Sequence, residues 1–108
     1  MSDAQQRIAE LVKNNKVVLF MKGDATFPQC GFSGRAVQIL QACGVGLKTL
    51  KTVNVLADEA IRTGIKAYSN WPTIPQLYIA GEFIGGADIM MEMFEKGELQ
   101  QALTAKTS

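Results

Sequence analysis

Val17-Val18-Leu19-Phe20-Met21 is a five-residue apolar run rich in β-branched side chains, and Lys22-Gly23-Asp24 ends it. A run this short, bounded by turn formers, reads as a buried strand. Further on, Ala36, Val37, Ile39 and Leu40 recur on one helical face, which predicts a helix from about Cys30–Ser33 to Cys43. Between strand and helix stands Phe27-Pro28-Gln29-Cys30-Gly31-Phe32-Ser33, so a cysteine occupies a strand-to-helix junction. Free backbone N–H groups and the positive end of a helix dipole favour a thiolate there, and Lys22 adds positive charge. Ser33 takes the fourth place of what would otherwise be a C-x-x-C pair, so no local disulfide can close and a partner thiol must come from outside.

Composition removes most other chemistries. The chain has no histidine, which excludes Ser-His-Asp and Cys-His catalysis and histidine-bound zinc. Eleven basic against ten acidic residues leave a formal charge of +1, with no electrostatic grip on nucleic acid or membrane. The longest aliphatic and aromatic run is the five residues from Val17, far short of a membrane span, and no apolar signal region opens the chain. With 108 residues at 47% hydrophobic content, one domain spanning 1–108 with one core is expected. Cys30 and Cys43 lie thirteen positions apart. Along one helix that separation rises about 20 Å, too far for a disulfide, so a reducing compartment is expected. Cys43, beside Ala42 and Gly44, reads as a packing residue.

The remaining elements follow in order. Asp3 to Asn14 carries Ile8, Leu11 and Val12 with Ala4 on one face, an amphipathic helix. Leu47 to Val55 is expected as a second strand, parallel to the first through a right-handed crossover. Asp58 is expected to cap a third helix running through Ala67, with Ile61 and Ile65 buried. The turn-rich Ser69–Pro75 stretch leads to a strand at Gln76 to Ala80 and, past Gly81-Glu82, a hairpin partner at Phe83-Ile84. Gly85-Gly86 precedes a fourth helix in which Asp88 is expected as N-cap and Ile89, Met90, Met93 and Phe94 as the buried face. Gly97 ends it, Leu99 and Leu103 mark a short closing helix, and Thr104–Ser108 is expected to fray. The order α-β-α-β-α-β-β-α-α describes an α/β chain of thioredoxin-like fold, a four-stranded mixed sheet flanked by helices.

Four blocks, Met21-Lys22-Gly23, Pro28 to Ser33, Tyr68 to Gln76, and Gly85-Gly86 with Asp88-Ile89, together resemble a monothiol glutaredoxin of the CGFS type. The resemblance covers nearly the whole chain and implies a role for each matching residue. Cys30 matches the reactive cysteine and iron ligand. Lys22, Arg62 and Lys66 match cations that hold carboxylate of bound glutathione. Thr73, Ile74 and Pro75, the last matching a cis-proline, would pair with the cysteinyl part, and Gly86, Ala87 and Asp88 with the γ-glutamyl end. The sequence departs from many relatives at Ala87, where cysteine or serine is common, and at Ala25, where proline is.

The resemblance further implies a [2Fe-2S] cluster held between two subunits, passed to iron-sulfur acceptor proteins, with BolA-like proteins as partners. Such a centre takes four thiolates. One ligating cysteine per chain supplies two in a homodimer, leaving two for glutathione. The apo protein would then be a monomer. An alternative is a glutathione-dependent thiol-disulfide oxidoreductase in which Cys30 accepts glutathione from a glutathionylated protein. The cytoplasm is the expected location, with mitochondrial matrix or plastid stroma the alternatives should a transit segment have been removed.

Overall fold

The computed structural model describes residues 2–107. Its sheet has the order β2-β1-β3-β4. The Val17–Met21 run forms β1 and is buried at every position. It pairs in parallel with β2 (Leu50–Asn54) and antiparallel with β3 (Gln76–Ile79), and β3 pairs antiparallel with β4 (Glu82–Gly85). A strand covered on both faces needs apolar side chains throughout rather than an alternating pattern, which is why the run is unbroken.

Successive β1 side chains point to opposite faces. Val17, Leu19 and Met21 pack with α2 (Gly31–Ala42), α4 (Ala87–Glu95) and α5 (Glu98–Thr107), through residues such as Leu40, Met90 and Leu99. Val18 and Phe20 pack with α1 (Asp3–Asn14) and α3 (Glu59–Ser69), through Ile8, Val12, Ile61 and Ile65. The thioredoxin-like arrangement expected from the sequence is therefore the one observed. Ser2 caps α1 and Asp58 caps α3, each accepting a backbone N–H three residues on.

Several local expectations are corrected. β2 starts at Leu50, not Leu47, because Leu47–Thr49 turns so that the Gly46 carbonyl accepts both the Thr49 and Leu50 N–H groups. Val55 belongs to a short 3-10 turn, Val55–Ala57, started by the Asn54 side chain. The hairpin loop is Ala80-Gly81, with φ of 51° and 82°, so Ala80 leaves β3 and Glu82 joins β4. A two-residue loop with positive φ at both positions matches the twist of the strands it joins.

Helix α4 begins at Ala87 with Gly86 as N-cap, so Asp88 lies within the first turn and is not the cap. The glycine pair lets the chain enter the helix early, with the Gly86 carbonyl accepting from Met90 N–H at 3.0 Å. Met90 is the buried centre of the helix, and Phe94 remains exposed at the edge of that face. Helix α5 continues through the segment expected to fray, as far as Thr107; Ser108 lies outside the described residues. Buried Leu99 and Leu103 hold it down, and Lys106 Nζ reaches Glu82 Oε2 at 2.7 Å.

Candidate functional site

The loop from Lys22 to Cys30 folds back on itself before α2 starts. Gln29 N–H donates to the Lys22 carbonyl at 2.8 Å, and Asp24 Oδ1 accepts from the N–H groups of Thr26 and Phe27. Gly23 has φ of 86°, and any Cβ there would collide with the Phe27 carbonyl, so glycine is required for the tight return. Cys30 then sits as N-cap of α2 in extended conformation.

Its thiol is partly exposed and ionises below the usual thiol range. The Ser33 N–H contributes most; burial, the next largest effect, opposes it, and the Phe32 N–H, the Ser33 hydroxyl and the Lys22 charge, in that order, add to the lowering. These are the free donors of a helix start, as the sequence position predicts. Ser33 is fully buried, and its Oγ accepts the Lys22 N–H at 3.1 Å. Cys43 is buried and free, and burial pushes its thiol up.

Beside Cys30 opens a cavity of about 380 Å³. Nine of the ten residues singled out in the sequence line it. Lys22 comes from the end of β1, Arg62 and Lys66 from α3, Thr73, Ile74 and Pro75 from the loop before β3, and Gly86, Ala87 and Asp88 from the start of α4. The tenth, Cys30, is not among the lining residues, but Phe32, two residues on, is. The Ile74–Pro75 peptide is cis. At Gly86 a Cβ would stand 3.3 Å from the Pro75 carbonyl oxygen and 3.4 Å from Trp71 Nε1, so the α4 start and the proline loop approach closely because that side chain is absent.

Phe32, Trp71, Pro72 and Ile89 also line the cavity and were not assigned to it from the sequence. Trp71 stands within the turn-rich Ser69–Pro75 stretch. Its position among turn formers, two residues before Thr73, was the available signal, since an aromatic held in such a loop has little core to enter. Its ring packs on Phe83 at 5.9 Å, and the residue is 37% exposed.

The cavity lining carries both signs of charge. None of Lys22, Arg62 and Lys66 is in an ion pair with a described carboxylate, and all three converge on the cavity. Asp88 and the N-terminus of α4, whose cap makes no side-chain hydrogen bond, also border the cavity. A ligand bearing a carboxylate and an amino-acid group would find complementary partners in this lining.

The sheet order, the thiol at the N-cap of the helix after β1 and the cis-proline before β3 define a thiol protein of the thioredoxin-like class. The glutaredoxin family model matches residues 17–84. Over 101 residues the chain is 56% identical to a ycf64-like monothiol glutaredoxin of Synechocystis sp., covering 94% of this chain and 92% of that protein. The solution structure of reduced poplar apo GrxS14 superposes with a TM-score of 0.83 at 48% identity, over 95% of this chain and 92% of that one. A crystal structure of a buckwheat glutaredoxin-glutathione complex does so with a TM-score of 0.83 at 27% identity, over 96% and 90%. The chain belongs to the glutaredoxin family, among its monothiol members. Its relatives include bacterial, mitochondrial and chloroplastic proteins, and it spans 54% and 53% of two chloroplastic ones, from rice and Arabidopsis.

Proposed function

We propose that this protein binds glutathione in the cavity beside Cys30 and, as a homodimer, carries a [2Fe-2S] cluster that it delivers to acceptor proteins. The observation that carries the reading is a partly exposed, acidified thiol close in the fold to a cavity lined by three cations that have no ion pair among the described residues and by the start of a helix. In this reading Lys22, Arg62 and Lys66 hold a glutathione carboxylate, Thr73, Ile74 and Pro75 border its cysteinyl part, and Gly86, Ala87 and Asp88 receive the γ-glutamyl end.

The residues fit the cluster as cargo rather than as a centre enclosed by one chain. Among the described residues no three Cys, His, Asp or Glu side chains gather to hold a metal, and Cys43 is buried away from the surface. Cys30 is the one thiol that can reach outward. A four-thiolate cluster then needs Cys30 from two subunits and the thiols of two glutathiones. Half of the ligands being diffusible, the cargo can be released by exchange with an acceptor's thiols, and a BolA-like partner could replace one subunit. A reducing compartment suits such ligands, whether bacterial cytoplasm, mitochondrial matrix or plastid stroma.

The test is anaerobic loading with iron, sulfide and glutathione, followed by visible absorption and size-exclusion elution. A coloured dimer that requires glutathione and is absent in Cys30→Ser supports the carrier. A colourless monomer that reduces glutathione mixed disulfides through Cys30 would overturn it in favour of a thiol-disulfide oxidoreductase.

A further inference from the structure

Ser33 and Gln76 are the two fully buried polar side chains among the described residues. Ser33 acts at the thiol, whereas Gln76 has no place in the site as read so far. Gln76 follows Pro75 and opens β3, opposite Phe20 of β1. Its Nε2 donates to the Trp71 carbonyl at 3.0 Å and to the Thr73 carbonyl at 3.1 Å. Both acceptors belong to residues that line the cavity.

The loop from Trp71 to Pro75 has few other means of being held. Pro72 and Pro75 have no N–H to donate. Trp71 N–H is anchored to the Lys66 carbonyl and Ser69 Oγ, but Thr73 and Ile74 N–H make no hydrogen bond within the described chain. Between the end of α3 and the start of β3, the Gln76 amide is therefore what fastens the loop's carbonyls. The direction of the amide is fixed too, because turning it over would set Oε1 against two carbonyl oxygens.

This arrangement is costly for stability. Gln76 Oε1 is buried with no hydrogen-bond partner among the described residues. A buried acceptor left unpaired is destabilising, so a residue suited only to the fold would be apolar here. Function explains the amide better than packing does.

We infer that Gln76 is a positioning residue for the ligand: its two N–H donors hold the Trp71 and Thr73 carbonyls, and so aim the free N–H groups of Thr73 and Ile74 and the Trp71 ring at the cavity. The inference rests on the cavity being the glutathione site. Gln76 touches no ligand itself and acts through the loop.

The experiment is calorimetric titration of the full chain with glutathione, for wild type, Gln76→Met and Gln76→Glu. Methionine fills the space without donors, and a glutamate, protonated among buried carbonyls, keeps at most one of the two donors at nearly constant shape. Both variants are expected to bind about tenfold more weakly, the worth of one or two neutral hydrogen bonds. Cys30 alkylation by iodoacetamide should keep its wild-type pH profile in both. The emission of Trp71, the chain's one tryptophan, should report a looser loop before ligand is added. Gln76→Met should unfold at an unchanged or higher urea midpoint, which a merely structural role would not give. Wild-type affinity, within twofold, in either folded variant overturns the positioning role while leaving the site intact. Failure of the wild type to bind glutathione overturns both. Should neither variant fold, the Gln76 side-chain amide resonances of the wild type must shift on saturation with glutathione, and unmoved resonances overturn the role.

Discussion

The buried hydroxyl of Ser33 accepts the backbone N–H of Lys22 at 3.1 Å, tying the first turn of the thiol-bearing helix to the residue that follows β1. Serine at this position does more than fill the place of a second cysteine. It satisfies a donor, and its hydroxyl is among the groups that lower the ionisation of Cys30. Ser33→Ala leaves the Lys22 N–H without its partner, at a cost of about 1–2 kcal/mol, or a melting temperature lower by roughly 4–16 °C. Its Cys30 thiol should ionise at higher pH than in the wild type. Iodoacetamide alkylation followed against pH, beside thermal unfolding, checks both, and an unmoved alkylation profile would refute the proposed role of the hydroxyl.

Because the native Cys30 thiol ionises below the usual range, the native state loses this proton before the unfolded chain does as pH rises. The stabilisation from the thiolate is complete above the ordinary thiol range and is lost as pH falls through the native value. The urea midpoint of the wild type relative to Cys30→Ser should therefore rise across that alkaline window. A difference that shrinks as pH rises would contradict the depressed ionisation.

Lys22 and Arg62 line the same cavity, but only Lys22 is among the groups that act on the Cys30 thiol. Arg62→Ala should weaken glutathione binding by about tenfold or more, the scale of a charge-assisted hydrogen bond, with an unchanged alkylation profile. Lys22→Ala should weaken binding and also move alkylation to higher pH. Calorimetry and alkylation rates on the two variants separate a ligand contact from a thiol contact. Identical behaviour would show that the two cations are not divided in this way.

Much of this architecture can be read along the chain because local and tertiary demands coincide there. Val17–Met21 is apolar throughout and buried throughout, and Cys30 lies between that strand and a helix whose buried positions are Ala36, Val37, Ile39 and Leu40. The cations of the cavity were harder to place, since Arg62 and Lys66 share a helical face that could as well have been solvated. Only the position of α3 beside β1 and the proline loop turns them inward. Legibility failed where a neighbour decided the outcome. Leu47 has the composition of a strand residue but lies in a turn closed by the Gly46 carbonyl. Asp88 looks like a cap, yet the two preceding glycines let α4 start earlier. The C-terminal helix persists because Leu99 and Leu103 are buried against the core and Lys106 finds Glu82 on a strand far away in sequence. Gln76 gave no warning at all, because its partners are carbonyls.

Asp58 caps α3 through Ile61 N–H at 3.2 Å and accepts from Arg7 Nη2 at 2.6 Å, bridging α1 and α3. The Arg7 hydrogen bond is the first cause holding its carboxyl below the usual range, the capping N–H the second. A depressed carboxyl adds stability above its ordinary value and loses it as pH falls through the native one. Asp58→Asn retains a good cap and removes the charge. The wild type should exceed this variant in urea midpoint at pH 7, and the margin should close in strong acid. A margin that stays constant with pH would show that the Arg7 pair contributes nothing.

Gly64 sets how closely α1 and α3 pack. A Cβ at this position would stand 3.1 Å from Ala4 Cβ and 3.2 Å from Ile8 Cδ1, while Gln5 Nε2 already donates to the Gly64 carbonyl at 2.8 Å. Two effects oppose each other in Gly64→Ala. Helix propensity favours alanine by about 1 kcal/mol, and overpacking costs about 1–3 kcal/mol. Crowding should win, because Ala4 Cβ is fixed to its helix and cannot rotate aside, and Ile8 is fully buried. The expected net loss is about 1 kcal/mol. Adding Ala4→Gly should recover part of it despite the poor helix propensity of glycine, since the two positions share one contact and their effects are then not additive. Urea midpoints of the two single variants and the double variant decide the matter. A Gly64→Ala protein as stable as the wild type would mean that α1 shifts freely and that this contact does not position α3 or the cations it carries to the cavity.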